Sequence, residues 1–269
     1  MQARSLTSMG NPRVVSARKL HQRREREQEG LFLVEGPHLL EAAMAANVPL
    51  REVFCTTELL ASHRELAKRL EASEWPVWTV SAPTLARLAA TEEPQGVVAV
   101  ADMPQGAVEP ECETGLLALA LEGVSDPGNV GAAIRAAHAA GATHVVLGSG
   151  CCDRFNAKAV RASAGGLFLV PVLATEDLPR MLGRLREKGA CIAVAEPRGA
   201  RVCWDVDLRG PTVLVVGSEA RGVNSAVRAE ATERLAIPMP GGAESLNAAA
   251  AAAVLLYEAI RQRGGGQRL

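Results

Sequence analysis

Polar side chains that could perform chemistry are concentrated in three loops of the second half of the chain. They are Asn129 and Arg135 in "EGVSDPGNVGAAIR", Glu219 in "VVGSEARGV", and Ser245 and Asn247 in "IPMPGGAESLN". Amide, hydroxyl and carboxylate groups can orient a substrate and share its proton, while a guanidinium group can grip a phosphate. Each loop follows an apolar run that is typical of a strand, and α/β sheets bind ligands at the carboxyl ends of their strands. The three loops are therefore the candidate site.

Each of these residues also has an ordinary structural explanation. Asn129 stands where the N-cap of a helix is expected, and Arg135 could extend from that helix into solvent. Glu219 could cap the next helix, and either Ser245 or Asn247 could cap the helix that continues with six alanines. Capping does not account for the alanine run, because alanine buries little apolar surface unless another backbone comes close. We therefore expect a close contact between helices there.

Two familiar nucleotide-binding motifs are missing from these loops. The first loop lacks G-x-G-x-x-G, and no acidic residue ends the next strand, "HVVLG". The spacing from Gly217 to Gly222 mimics a phosphate-binding loop, but Val223 and Asn224 replace the required Lys-Ser/Thr. Backbone beyond Pro238 cannot be regular helix or strand, so its polar groups need other partners. A heterocycle with donor and acceptor edges, such as adenine, is one candidate.

Two α/β domains are predicted to position the three loops. Residues 1–104 alternate helices and strands, beginning with one basic helix over about residues 12–28. Residues 105–115 are rich in Pro, Gly and acids and are predicted to be a linker. Residues 116–269 repeat a β-then-α pattern that includes a predicted strand at "LFLVPV". The strands are continuous apolar runs, which is typical of a mainly parallel sheet buried on both faces.

The composition narrows the class of protein. The chain of 269 residues has a net charge of −1 and no apolar run of the roughly 20 residues that span a bilayer. Its basic N-terminus is not followed by the apolar segment of a secretory signal. Six cysteines occur without C-x-x-C spacing, which favours structural thiols over disulfides or zinc. We expect a cytoplasmic protein with no metal and no membrane association.

Taken together, the three loops resemble the three motifs of the SpoU/TrmH branch of the SPOUT RNA methyltransferases. The matching stretches are "NVGAAIRAA", "LVVGSEARGV" and "IPMPGGAESLNAAAAAAVLLYEAIRQR", and their order, spacing and strand context agree over about residues 116–263. The N-terminal stretch "NPRVVSARKLHQRREREQEGLFLVEGPHLLEAA" is similar to the family's substrate-binding domain, a ribosomal-protein-like α/β RNA-binding fold. The resemblance implies a SPOUT α/β domain with a deep trefoil knot, an exception to the rule against threaded chains.

The resemblance also implies a cofactor, an assembly and a reaction. S-adenosylmethionine would lie bent in the knot, held by backbone groups that correspond by motif to Gly217, Ile237 and Leu246. Ala195 and Glu196, in the loop after "CIAVA", are a weaker addition. The family works as a homodimer whose active site is completed across the interface. Its reaction is methylation of a ribose 2′-hydroxyl in rRNA or tRNA.

By motif, the resemblance places Asn129, Arg135, Glu219, Ser245 and Asn247 at the chemical centre. The arginine is often proposed as the base in this family, yet a guanidinium group does not deprotonate in proteins. We expect Arg135 instead to grip the adjacent phosphate and orient the 2′-hydroxyl. The two asparagines would align the nucleophile and support the loop, while Ser245 and Glu219 hold the motifs in register. Alanines after "SLN", and alanine in place of the commoner glycine after Glu219, depart from the family pattern.

A basic N-terminal stretch is predicted to contact RNA phosphates. Residues 1–26 carry a local net charge of about +6. The candidate contacts are Arg13, Arg18, Lys19, Arg23, Arg24 and Arg26. The alternative is a solvated helix face. Aromatic residues are only 3%, which favours recognition of RNA shape and backbone over base stacking.

Large-subunit rRNA is the predicted substrate because the chain carries a separate substrate-binding domain. The simplest tRNA-modifying relatives usually lack that domain. The alternatives are a tRNA ribose 2′-O-methyltransferase and a non-catalytic RNA-binding or ribosome-assembly factor. Intact Asn129, Arg135, Ser245 and Asn247 weigh against the non-catalytic alternative. An antibiotic-resistance methyltransferase is compatible with the same motifs.

Overall fold

Alternating apolar runs and amphipathic segments fold into two units. The structure, a computed structural model, describes residues 4–6, 8–104, 108–197 and 200–264. Unit 1 consists of Met1–Gln105 together with Phe155–Phe168, and unit 2 consists of Gly106–Arg154 and Leu169–Leu269. Part of the predicted linker, residues 105–107, lies outside the described residues.

Unit 1 is built on a five-stranded mixed sheet with the order β1-β4-β3-β5-β2. Strands β2 and β3 pair antiparallel with β5, and the other pairs are parallel. The strands are β1 (Arg4–Leu6), β2 (Leu31–Glu35), β3 (Leu50–Cys55), β4 (Val77–Val80) and β5 (Val97–Asp102). The helices in the first segment of unit 1 are α1 (Pro12–Lys19), α2 (Arg23–Glu29), α3 (Pro37–Ala45), α4 (Thr57–Ser62), α5 (Arg64–Ala72) and α6 (Ala82–Leu88).

The predicted single basic helix over residues 12–28 is two helices, α1 and α2. Leu20 follows α1 and is buried in the core of unit 1. The break frees backbone carbonyls, and Arg26 turns inward to donate to the carbonyl oxygens of Leu20 at 2.8 Å and His21 at 2.9 Å. Arg26 therefore stabilises the corner between the two helices, which a periodicity argument does not reveal.

A segment predicted to belong to the methyltransferase domain lies in unit 1 instead. Helix α8 (Ala157–Ala162) packs on β2, and the ring of Phe155 lies 4.9 Å from the fully buried ring of Phe32. The predicted strand "LFLVPV" is a 3₁₀ turn at Gly166–Phe168, and the strand follows at Val172–Ala174. Burial of aromatic rings against Phe32 explains why this segment leaves the β-then-α pattern.

Unit 2 is built on a seven-stranded parallel sheet with the order β10-β12-β9-β11-β6-β7-β8. Its strands are β6 (Leu117–Glu122), β7 (His144–Leu147), β8 (Val172–Ala174), β9 (Cys191–Ala195), β10 (Arg201–Val202), β11 (Thr212–Gly217) and β12 (Glu233–Ala236). Its helices are α7 (Pro127–Ala139), α9 (Leu178–Glu187), α10 (Ser225–Ala229) and α11 (Ala248–Arg263). The predicted parallel sheet is confirmed, and β6 is buried along its whole length.

The strand order brings the three candidate loops to one edge of the sheet. Strands β12, β9, β11 and β6 are consecutive neighbours, so the loops after them meet at their carboxyl ends. Helix α11 packs on α7 and on β11, with Ala248, Ala249 and Ala252 buried. The alanine run therefore forms the expected close helix–helix contact, whereas the trefoil knot stays a prediction.

All six cysteines are free. Burial raises the pKa of Cys55 and of Cys151 to about 11, which keeps these thiols protonated and unreactive near neutral pH. Across the described residues, no helix is long and apolar enough to cross a membrane. The same part of the chain contains no cluster of three His, Cys, Asp or Glu side chains suited to a metal ion.

Candidate active site

Helix α7 begins earlier than the sequence indicated. Its N-cap is Asp126, whose side chain accepts from the backbone N of Asn129 at 2.9 Å, so the alternative explanation of Asn129 as the cap does not hold. Pro127 explains the earlier start, because proline has no N–H to satisfy and its φ already suits the first helical turn. Asn129 therefore lies inside the first turn, and its side-chain amide remains available for other contacts.

Glu219 joins all three motif loops through one carboxylate oxygen. Its Oε1 accepts from Asn129 Nδ2 at 3.0 Å and from the backbone N of Ala248 at 3.0 Å. Glu219 does not cap the next helix, because Asn224 performs that role for α10. A carboxylate at the start of α11 also interacts favourably with the positive end of the helix. This geometry is what a residue that holds the motifs in register requires.

Asn247 and Ser245 have different positions in the third loop. Asn247 is the N-cap of α11, with Oδ1 accepting from the backbone N of Ala250 at 2.7 Å. The capping explanation therefore applies to Asn247, and only its Nδ2 group remains to contact a substrate. Ser245 caps nothing and lines the cavity that the motif loops enclose.

Arg135 lies apart from the other four predicted residues. It is exposed on α7, and six residues of helix turn it by roughly 120° away from Asn129. Within the described ranges, no hydrogen bond or ion pair joins its side chain to another residue, and it does not line the cavity. Its guanidinium group is thus presented outward from the chain.

The loops after β9, β11 and β12 enclose a cavity of about 480 Å³. This volume is in the range of small-molecule and cofactor sites. All five predicted cofactor contacts line it, namely Ala195, Glu196, Gly217, Ile237 and Leu246. The size, the exposed loop backbone and the apolar side chains of Ile237 and Leu246 fit an adenosyl group. The residues present therefore fit S-adenosylmethionine.

Gly217 begins the second loop at a point where the loop folds back on itself. A Cβ at this position would lie 2.2 Å from the carbonyl carbon of Gly222, closer than real Cβ contacts allow. The backbone N of Gly222 donates to the carbonyl oxygen of Ser218 at 2.8 Å, which closes the loop. Glycine is required here because two backbone segments touch, not because of a special φ.

We expect Gly217→Ala to weaken S-adenosylmethionine binding by about tenfold or more, equivalent to roughly 1.4 kcal/mol. The added methyl group must displace the loop that forms one wall of the cavity, and such overpacking costs about 1–3 kcal/mol. Isothermal calorimetry measures the affinity. Gly210→Ala is the matched control, because a Cβ there meets nothing within 4 Å. Equal affinity for both variants would contradict the prediction.

An ion pair that the sequence did not indicate borders the cavity. Arg228 of α10 pairs with Glu196 through Nε–Oε1 and Nη2–Oε2 contacts, each 2.6 Å long. The hydrogen bond from Arg228 to Glu196 and the charge of that carboxylate raise the pKa of Arg228. The two residues are far apart in sequence and join different elements. No local sequence pattern predicts this pairing, because only the fold brings the two residues together.

Glu122, a buried carboxyl group at the end of β6, was not among the residues predicted from the sequence. Glu122 ends β6 and is only 6% exposed; its Oε1 accepts from Asn224 Nδ2, and its Oε2 is buried without a hydrogen bond. Burial raises the pKa of Glu122, while the bond from Asn224 partly opposes that shift. Because the folded pKa exceeds that of an unfolded glutamate, its contribution to stability is greatest at low pH. That contribution falls as the pH rises through the raised value.

The predicted RNA contacts in unit 1 have different environments. Arg26 is buried at 3% exposure, so its assignment to RNA binding is wrong. Arg13 pairs with Glu52 at 3.1 Å and stacks over Trp78, and Arg23 pairs with Glu27 at 2.6 Å. Three exposed side chains have no hydrogen bond or ion pair to any described residue, and these are Arg18, Lys19 and Arg24.

A parallel α/β unit with a cofactor-sized cavity, in a chain that also contains a second α/β unit, is the architecture expected of a two-domain methyltransferase. The SpoU rRNA Methylase family model matches residues 116–257, and the MRM3-like substrate binding domain model matches residues 11–99. The chain belongs to the SpoU rRNA methylase family. The resemblance inferred from the three motifs is confirmed.

Similar proteins match nearly the whole chain. An uncharacterised tRNA/rRNA methyltransferase of Synechocystis is 37% identical over 96% of this chain and 94% of its own length. The 23S rRNA (guanosine(2553)-2′-O)-methyltransferase RlmP of Bacillus subtilis is 33% identical over 94% of this chain and 98% of its own length. The crystal structure of the SpoU methyltransferase AviRb from Streptomyces viridochromogenes with AdoMet is 30% identical, with a TM-score of 0.82, covering 96% of this chain and all of that chain.

Proposed function

We propose that this protein transfers a methyl group from S-adenosylmethionine to a ribose 2′-hydroxyl of large-subunit rRNA. The observation that carries the proposal is the cavity between the loops after β9, β11 and β12, which all five predicted cofactor contacts line. RlmP, similar over almost the full length, is a 23S rRNA 2′-O-methyltransferase, and AviRb was crystallised with AdoMet. The match to a substrate-binding domain supports rRNA over the smaller tRNA substrates. A cytoplasmic location stays a prediction.

When bound, S-adenosylmethionine supplies an electrophilic methyl group on a sulfonium ion. Asn129 lies outside the cavity lining but is bonded to Glu219, which lines it, and is proposed to align the attacking hydroxyl. The NH₂ group of Asn129 donates to Glu219 Oε1, so the amide oxygen of Asn129 points away from that carboxyl group. Its Oδ1 is then left to accept the hydrogen bond of the 2′-hydroxyl and to direct the oxygen lone pair at the methyl group, while the hydroxyl proton would pass to the adjacent phosphate as the new O–C bond forms. Holding the nucleophile in line supplies much of the acceleration.

Arg135 is proposed to act in the active site of a second copy of the chain. It is exposed on α7 and does not line the cavity of its own chain. In a homodimer, its guanidinium group would hold the phosphate beside the reacting ribose of the partner's site. The outer face of α11 offers an interface, because Val254 is 41% exposed and Tyr257 is 55% exposed on one side of the helix. Such apolar exposure is typical of association surfaces.

In unit 1, Arg18, Lys19 and Arg24 are proposed to contact RNA phosphates. They are the exposed members of the basic N-terminal stretch that are not paired within the described chain. Contacts to phosphates provide affinity without reading sequence. The choice of nucleotide would then depend on the shape of the rRNA and on the cavity of unit 2.

Two measurements test the proposed function. Calorimetry with the purified protein should show saturable S-adenosylmethionine binding. Mapping of ribose methylation in total rRNA and tRNA, from cells with and without the gene, should reveal a site in large-subunit rRNA that depends on the gene. Absence of cofactor binding would support the non-catalytic alternative. A methylated tRNA position with unchanged rRNA would overturn the substrate proposal alone.

A further inference from the structure

One buried residue adjoins both ends of the loop at residues 217–223, here called the cofactor loop: its backbone pairs with the first residue of the loop, and its side chain bonds the residue after the last. Glu122 is the last residue of β6 and is paired in register with Gly217, where the cofactor loop begins. Its Oε1 accepts a hydrogen bond from the side chain of Asn224, the residue that follows the loop. Residues throughout the loop line the cavity, but Glu122 itself does not.

The side chain of Asn224 connects Glu122 to helix α10. While its Nδ2 donates to Glu122, its Oδ1 accepts from the backbone N of Val227 at 2.8 Å and caps the helix. Helix α10 carries Arg228, which pairs with Glu196 beside the cavity. Glu122 at the end of β6 is thus connected, through Asn224 and helix α10, to the ion pair of Arg228 with Glu196 in the cavity lining.

The side chain of Glu122 is closely packed on the side that faces Gly148. A Cβ on Gly148 would lie 3.0 Å from Glu122 Oε2 and 2.8 Å from Leu178 Cδ2, so the carboxyl group fits only beside a glycine. Its Oε2 remains buried without a hydrogen bond. An apolar side chain would avoid this desolvation cost, since burying an unpaired polar oxygen is unfavourable. The feature that an apolar residue would lose is the bond to Asn224.

We propose that Glu122 is a positioning residue that holds the cofactor loop in the shape that binds S-adenosylmethionine. The inference rests on the proposed function, because the loop must bind that cofactor. The role depends on an acceptor oxygen at the place of Oε1 and not on negative charge. The raised pKa of Glu122 agrees with this, because burial already disfavours the charged form.

The test compares variants that keep or remove the bond. Glu122→Gln retains an acceptor oxygen of the same reach, so its affinity for S-adenosylmethionine should stay within about threefold of the wild type. Glu122→Ala removes the bond and should raise both the Kd and the KM for the cofactor by about tenfold. Because Glu219 belongs to the same loop, kcat at saturating cofactor should also fall in Glu122→Ala, and Glu122→Gln should retain both kcat and cofactor affinity.

If Glu122→Ala fails to fold, Asn224→Ser is a second variant that removes the same hydrogen bond. Serine is a good N-cap and can still accept from Val227, but it is too short to reach Glu122. Its cofactor affinity should fall as in Glu122→Ala, and the double variant should be no weaker than either single one, because both remove one bond.

The outcomes separate this inference from the proposed function. If the wild-type protein does not bind S-adenosylmethionine, the proposed function fails. The positioning role is overturned if the wild type binds S-adenosylmethionine and the variants bind it with the same affinity. The variants that count are Asn224→Ser and each Glu122 variant that folds. A lower melting temperature with unchanged cofactor affinity would likewise assign Glu122 to stability alone and overturn the inference.

Discussion

Replacing Glu219 by alanine should lower the rate of methyl transfer by about 100-fold, because a catalytic group displaced by about 1 Å can cost that much. The change removes the oxygen that holds both Asn129 Nδ2 and the backbone N of Ala248. Asn129 would then be free to rotate, and its Oδ1 would no longer face the 2′-hydroxyl. The measurement is single-turnover transfer of labelled methyl groups to the rRNA substrate.

Glu219→Gln tests whether methyl transfer depends on the two hydrogen bonds that Glu219 accepts or on its negative charge. Glutamine keeps one oxygen that can accept both hydrogen bonds, so we expect it to retain activity within about tenfold of the wild type. Glu187→Ala is a control for the loss of a surface carboxylate, because Glu187 is exposed on α9 and lies outside the cavity lining. If the alanine variant at position 219 transferred methyl groups at the wild-type rate, Asn129 would need no such orientation.

Arg135→Ala should reduce methyl transfer by about 100-fold, comparable to the loss of one preorganised donor in an active site. Its affinity for S-adenosylmethionine should not change, because Arg135 does not line the cavity of its own chain. Arg135→Lys should recover only part of the activity, since an ammonium group lacks the planar fork that grips a phosphate. Near-normal turnover of the lysine variant with an unchanged pH dependence would exclude a special guanidinium role.

Mixing two inactive variants tests whether Arg135 acts across a dimer. A heterodimer of one Arg135→Ala chain and one Glu219→Ala chain would contain one intact site if Arg135 serves the partner. Random exchange of subunits should then restore about one quarter of wild-type activity, given two equivalent sites per symmetric dimer. If Arg135 acts within its own chain, both sites stay defective and mixing restores nothing. Arg180→Ala, an exposed arginine on α9, controls for loss of surface charge.

Patterns confined to a few residues were sufficient to predict much of unit 2. The continuous apolar runs of β6, β9 and β11 indicated a parallel sheet, because strands covered on both faces have no polar side. The three motifs indicated the family and the cofactor loops. The alanine run of α11 indicated a close helix contact, since small side chains are useful only where backbones approach.

Other features could not be predicted because distant residues create them. Asn129 could have been an N-cap by position, but Asp126 caps the helix, and the side chain of Asn129 instead bonds Glu219, 90 residues away. Arg26 was expected to face RNA, yet the break between α1 and α2 turned it inward. Glu122 appeared to be an ordinary strand end until the fold brought Asn224 to it.

The sequence by itself therefore determined the class of fold, the family, the cofactor loops and the residues available for chemistry. Hydrophobic periodicity and short motifs carry this information because they act between near neighbours along the chain. Only the tertiary structure decided which of those residues meet, that Phe155–Phe168 joins unit 1, and that Arg135 faces outward. Each of these outcomes depends on which buried groups find partners, and such pairing is settled when distant elements pack together.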